Sequence, residues 1–141
     1  MIWKSNPDIK SLNASGVNTM VSHLGIEFTE IGEDYLIARM PVDHRTIQPM
    51  GLLHGGASVS LAETIGSVAS VVVQINPLER AVVGIEINAN HLKSAREGFV
   101  YGKVSPIKLG KRLHIWNIEI TDIDNNKICI SRLTTMLVER K

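Results

Sequence analysis

Between Leu52 and Leu78 the chain has no lysine or arginine, and Glu63 is its only acidic residue. A solvated segment of that length normally carries charges of both signs. The stretch is therefore expected to be buried. Gly55-Gly56 opens it and Asn76-Pro77 closes it, which predicts one long helix from Gly55 or Gly56 to about Gln74. Val71, Val72 and Val73 are β-branched and lower intrinsic helix propensity, so burial has to override them. A strand over Val68–Ile75 is the competing reading. A lone carboxylate in such a setting is costly unless it is hydrogen-bonded or has chemistry to perform.

The rest of the chain is read around that helix. Asp8 to Ser15 and Asn18 to Leu24 suggest two short helices, stopped by Gly16 and Gly25, with Pro7 at the first start and Asn18 capping the second. Ile26 to Ile31 and Tyr35 to Met40 read as a hairpin turning at Gly32-Glu33-Asp34. Ala81–Leu92, Gly98–Pro106, Lys111–Thr121 and Lys127–Glu139 read as four further strands. Their connections are too short for crossover helices, so consecutive strands are expected to pair as an antiparallel meander. The fold class is α+β: a long central helix against an antiparallel β-sheet, in one compact domain over residues 1–141. Val83, Ile85 and Ile87, with Leu113 and Ile115, make the face away from the helix apolar as well. Such a face, together with an unpaired edge strand, implies a homo-oligomer.

Composition excludes more than it selects. The formal net charge is +1, which gives no basis for a nucleic-acid or anionic-membrane partner. Cys129 is the only cysteine, so no internal disulfide forms, and its apolar strand marks it as a buried structural thiol. No signal-peptide core or membrane-length apolar run is read, and a cytoplasmic location is expected. The five histidines, at 23, 44, 54, 91 and 114, have no ligand spacing, so no metal site is expected. Dinucleotide, P-loop and nucleophile-elbow motifs are absent.

Ser60, Glu63, Ser67, Ser70 and Gln74 recur at three- and four-residue spacing and share one helical stripe. His54 stands just before Gly55-Gly56, at a helix start whose free N–H groups suit an oxyanion. A plain capping histidine is the alternative for His54, and a tight turn for the glycines. Eight residues of helix separate Gly55 from Glu63, about 12 Å. One helix therefore does not bring both to one carbonyl, and an antiparallel second subunit would supply the missing half. Gln48 is a candidate for holding a carbonyl or water. Lys93, Ser94 and Arg96, following His91 at a strand end, form a possible phosphate-binding rim; a solvated turn is the alternative.

The segments Gln48–Ser58, Leu61–Ala69, Gly84–His91, Ser94–Gly98 and Ser131–Thr135, with Met40–Asp43, together resemble the hotdog-fold acyl-CoA thioesterases. The likeness is to their aryl-CoA subgroup, which serves menaquinone and enterobactin synthesis. The resemblance implies a hotdog fold, and a dimer doubled to a tetramer. It also implies hydrolysis of an acyl-CoA, such as 1,4-dihydroxy-2-naphthoyl-CoA. On that basis Glu63 is the catalytic carboxylate, as general base or as nucleophile. Gln48 orients the thioester or water, Gly55 donates to the oxyanion with His54 beside it, and Ser67 and His91 place water or substrate. Ser94, Arg96 and Lys93 hold the coenzyme A phosphates, and no cofactor is required. Met50 and Val71–Gln74 fall where relatives vary, which leaves the acyl preference open. A non-catalytic acyl-CoA-binding module, a broad fatty acyl-CoA thioesterase and a dehydratase are the rival readings.

Overall fold

The computed structural model describes residues 1–141. Two short helices come first, α1 (Ile9–Ala14) and α2 (Met20–His23), then the hairpin β1 (Glu27–Ile31) and β2 (Leu36–Pro41). The long helix α3 (Gly55–Val72) follows, then β3 (Arg80–His91), β4 (Phe99–Leu109), β5 (Leu113–Thr121) and β6 (Lys127–Glu139). Asp8, in a capping box with Ser11, starts α1, so Pro7 lies outside it. Thr19 caps α2 in place of the expected Asn18, whose backbone is left-handed at φ 62°.

α3 runs through the β-branched residues as a helix, so the strand alternative fails, but it ends at Val72, short of Gln74. Burial supplies what propensity lacks: Leu61, Ala62, Ile65 and Ala69 are fully covered by the sheet. The sheet comes very close at Gly66, where an added β-carbon would lie 2.5 Å from Leu133 Cδ2. By length and composition α3 would pass for a membrane span, contrary to the sequence expectation. It is a core helix, with half of its residues buried against the sheet.

All six strands form one antiparallel sheet in the order β1-β2-β4-β5-β6-β3. The expected meander holds only for β4-β5-β6. β3 does not pair with β4; the Leu92–Gly98 connection carries the chain past the ends of β6 and β5, and β4 pairs with β2. Strict alternation on β5 sends His114, Trp116, Ile118 and Ile120 inward onto the helix. The outer face is mixed, with half-buried Ile115 beside Asn117 and Glu119, and is less apolar than the sequence suggested.

The two sheet edges differ. On β1 the Asn13 side chain accepts from Phe28 N at 2.7 Å and donates to Phe28 O at 3.1 Å, standing in for a further strand. β3 has only β6 beside it, and Val83 and Ile85 on it are 40% and 53% exposed. This long open edge is a place where another strand can add.

Candidate active site

Glu63 lies half-buried in a cleft of about 440 Å³ on the face of α3 away from the core. Val59, Ser60, Thr64, Ser67 and Val68 line the helix side, and Met20 and Val21 of α2 form the far wall. The carboxylate reaches the free edge of the sheet: a β-carbon on Gly84 would overlap Glu63 Oε1. No side chain or backbone group of the chain hydrogen-bonds or ion-pairs with Glu63. Around it, Ser60 Oγ donates back to Gly56 O and Thr64 Oγ1 to Ser60 O, so both hydroxyls are engaged within the helix. The Ser67 hydroxyl, one turn beyond Glu63, has no such partner.

The start of α3 forms a separate cleft, about 380 Å³, lined by Gln48, Leu52, Leu53, Gly55, Ser58, His91, Lys93 and Ser94. His54 is the N-cap, and its Nδ1 accepts from Gly56 N at 2.8 Å. The capping alternative for His54 is thus realised, and it fixes the neutral ring as the Nε2–H tautomer. Ala57 N and Ser58 N donate to His54 O. Gly55 N–H alone in this first turn has no acceptor in the chain. His91 closes over it: a β-carbon at Gly55 would lie 2.8 Å from His91 Nε2. Gln48 Oε1 accepts from Met50 N, which leaves its Nε2 hydrogens for another partner.

The structure therefore groups Gln48, Gly55, His91, Lys93 and Ser94 in one cleft and Glu63 with Ser67 in another. Arg96 lines a third hollow next to Ser94, and Lys93 Nζ stands 3.8 Å from Asp122 Oδ2. The five-residue stripe on α3 does not hold together. Ser70 is fully buried, accepting from Trp116 Nε1 at 2.6 Å and sharing hydrogen bonds with Thr135 Oγ1 (2.7 Å) and His114 Nδ1 (3.0 Å). Gln74 is also buried, its Nε2 donating to Ser70 O. Beyond Ser67 the curled sheet, through β5 and β6, covers the side of the helix that is open at Glu63. Met20 and Val21 were missed as cleft residues; an exposed methionine on a short helix far away in sequence gives no sign of where it packs. Cys129 is buried as expected, and burial raises its thiol pKa.

Residues 50–129 match the family model of the thioesterase superfamily. The chain belongs to the thioesterase superfamily. Over 138 residues it is 54% identical to 1,4-dihydroxy-2-naphthoyl-CoA hydrolase of Escherichia coli (strain K12), covering 98% of this chain and all of that one. It is 47% identical over 138 residues to the proofreading thioesterase EntH of Cronobacter turicensis, covering 98% and 99%. Among solved structures, a thioesterase of Haemophilus influenzae superposes with a TM-score of 0.95 at 47% identity, covering 99% of this chain and 96% of that one. The six-stranded antiparallel sheet around α3 is the hotdog fold of this superfamily. As a member, the chain is a thioester-cleaving hydrolase.

Proposed function

We propose that the chain acts throughout its length as one hotdog domain that hydrolyses an aromatic acyl-CoA to the free acid and coenzyme A. We further propose that the site is shared between two copies paired along β3. The observation that carries this reading is a complementary vacancy within one chain. Glu63 is a carboxylate with no donor, Gly55 N–H is a donor with no acceptor, and they line different clefts. Aromatic acyl groups are favoured by the high identity to the Escherichia coli naphthoyl-CoA hydrolase. A cytoplasmic location accords with such a substrate.

The contacts also propose a register. Glu63 touches Gly84 and Gly55 touches His91, so a partner's Gly55 approaches Glu63 if the partner's His91 lies opposite Gly84. In a two-fold antiparallel pair the facing residue numbers have a constant sum, and Ile87 then faces the partner's Asn88. The bulge at Ile85 allows a shift of one residue. Adjacent strands lie about 4.8 Å apart, so this pairing brings the carboxylate and the amide to opposite sides of one thioester. The same two-fold dimer, doubled, gives the tetramer that the resemblance implies.

Glu63 then removes a proton from a water held with Ser67, and the hydroxyl oxygen attacks the thioester carbon. The developing oxyanion meets the partner's Gly55 N–H, with the Gln48 amide as a further donor. The C–S bond breaks, and the Glu63 proton passes to the departing sulfur to give free coenzyme A. Replacement of Glu63 by Gln is expected to lower kcat by at least a hundredfold without loss of dimer, measured by free-thiol release from a naphthoyl-CoA. Mixed dimers of Glu63→Gln with a subunit blocked at the amide end (Gly55→Val) should recover part of the activity, because one of their two sites is intact. Near-native turnover by Glu63→Gln, or no recovery in verified mixed dimers, refutes the reading.

A further inference from the structure

The formal net charge of +1 conceals an uneven distribution. Where α3 stops and β3 starts, Lys4, Arg80, Lys108, Lys111, Arg112 and Arg140 come together from four parts of the chain. Arg80 Nη1 donates to Lys111 O at 2.8 Å, and Arg140 Nη2 to Pro77 O at 3.4 Å. Leu137 N donates to Arg112 O at 2.8 Å, which holds the β4–β5 turn beside the end of β6. None of the six cations takes part in an ion pair. Of the acids at this end, Glu79 accepts from Asn76 Nδ2 and Glu33 pairs with the amino terminus, which leaves Glu139.

The same end carries large apolar side chains in the open. Ile75 and Leu78 are each 78% exposed and Met1 is 76% exposed, with Leu109 beside them. Ile75 and Leu78 stand on the connection from α3 to β3, and that connection is structured. Asn76 Oδ1 accepts from Leu78 N at 3.2 Å and Asn76 O from Glu79 N at 3.2 Å, while Pro77 restricts the backbone between them. The turn therefore holds its two aliphatic tips out into solvent. Between the tips lies a hollow of about 680 Å³ with Ile2, Val73 and Leu137 in its walls. Single exposed aliphatic residues are ordinary, but several gathered at one end mark a surface that meets something else.

We infer that this end docks on an anionic lipid bilayer, with Ile75 and Leu78 in the interface and the six cations among the headgroups. Charge complementarity selects the occupant. A second copy placed here by two-fold symmetry would set like charges against each other. A protein of fixed shape would need carboxylates placed to match, whereas the side chains of Lys4, Lys108, Lys111 and Arg112 are exposed and held by no ion pair. A fluid anionic surface needs no such match, and it accepts protruding aliphatic tips. The overall charge gave no reason to expect a membrane partner; the placement of the charges does. Binding is peripheral, since the tips reach only the interface. The surface stands apart from both clefts of the hydrolytic site and from Gly84–His91, the stretch of β3 proposed to pair.

The test is sedimentation of the assembled protein with vesicles of phosphatidylcholine alone and of phosphatidylcholine mixed equally with phosphatidylglycerol. The wild type should bind the mixed vesicles, leave the neutral ones unbound and be released by high salt. Each cation near the surface contributes about fivefold to partitioning, so Lys111→Gln/Arg112→Gln should weaken binding about twenty-five-fold. Ile75→Ser/Leu78→Ser keeps every charge and should weaken it at least tenfold. Lys103→Gln/Arg132→Gln removes the same charge from the outer sheet face and should bind as the wild type does. All six positions are exposed, and an unchanged Tm confirms that each variant is folded. The inference is overturned if the wild type binds neither vesicle, if it binds both equally, or if the two charge variants lose binding alike. It is also overturned if Lys111→Gln/Arg112→Gln changes the oligomeric state in light scattering and leaves vesicle binding intact. Sedimentation needs no turnover, so a wild type that cleaves no thioester would refute the hydrolysis reading alone.

Discussion

Gly84→Ala tests the proposed role of the Glu63 carboxylate without altering that residue. The new β-carbon would clash with Glu63 Oε1, the far end of a flexible side chain, so the carboxylate moves and the backbone does not. Gly84 is exposed on an edge strand, and alanine in a strand costs the fold nothing that glycine spares it. A displacement of about 1 Å at a reacting group costs roughly a hundredfold in rate, or about 2.7 kcal/mol in barrier. We therefore expect kcat to fall about a hundredfold, with Tm and oligomeric state kept. Free-thiol release gives kcat, and light scattering confirms assembly. Glu63→Asp retracts the carboxylate by one methylene, so in combination the two substitutions should cost less than the sum of each alone. A Gly84→Ala dimer with wild-type kcat, or strict additivity in the double variant, would refute the assignment of the reacting group to Glu63 at this strand edge.

The remaining expectations concern the core and the assembly. Ser70→Ala leaves the Trp116 N–H, the His114 ring and the Thr135 hydroxyl buried without their shared partner, and should lower stability by about 3 kcal/mol in urea melts; a loss below about 1 kcal/mol would show that the network contributes little. Burial first, and then the Arg80 charge, lower the His114 pKa below its ordinary 6.5, while the Gly110 carbonyl opposes them. The unfolded chain therefore binds that proton first. The stability should be flat in this residue's contribution above pH 6.5 and should fall as pH drops below it, an effect that a His114→Gln variant removes in pH-resolved melts. Val83→Lys with Ile85→Lys places two charges on the open β3 edge and should yield a folded monomer with no thioesterase activity; an active monomer would refute the shared site.

Much of the fold was legible because α3 had nowhere to go but the interior. A run without lysine or arginine that starts at Gly55-Gly56 and ends at Asn76-Pro77 specifies its own burial. The strands were legible from alternation, and β6 falls on its expected span, Lys127–Glu139. The position of β3 was not, because alternation gives a strand its faces and not its neighbours. Loop length excluded a crossover helix after β3, but a short extended connection also reaches across two strand ends, and the pairing of β2 with β4 settles which occurs.

The polar stripe on α3 shows the limit of helical periodicity. Glu63, Ser67 and Ser70 share nearly one angular position on the helix, yet the first two line a cleft and the third lies in the core. Angle around an axis decides which side of the layer a residue faces, whereas depth along it is decided by how far the sheet curls, and that depends on β5 and β6. The candidate reacting groups are the ones periodicity ranked no higher than their neighbours. They stand out only when each polar atom is asked for its partner. Ser60 and Thr64 answer with backbone carbonyls, Ser70 with three side chains, and Gly56 with His54. Glu63 and Gly55 N–H have no answer within one chain. A donor and an acceptor left open eight residues apart on one helix cannot satisfy each other, but two antiparallel copies of that helix can close both gaps at once around a substrate carbonyl. The same unpaired state, which solvent can fill in a monomer, is what a shared site requires of each half.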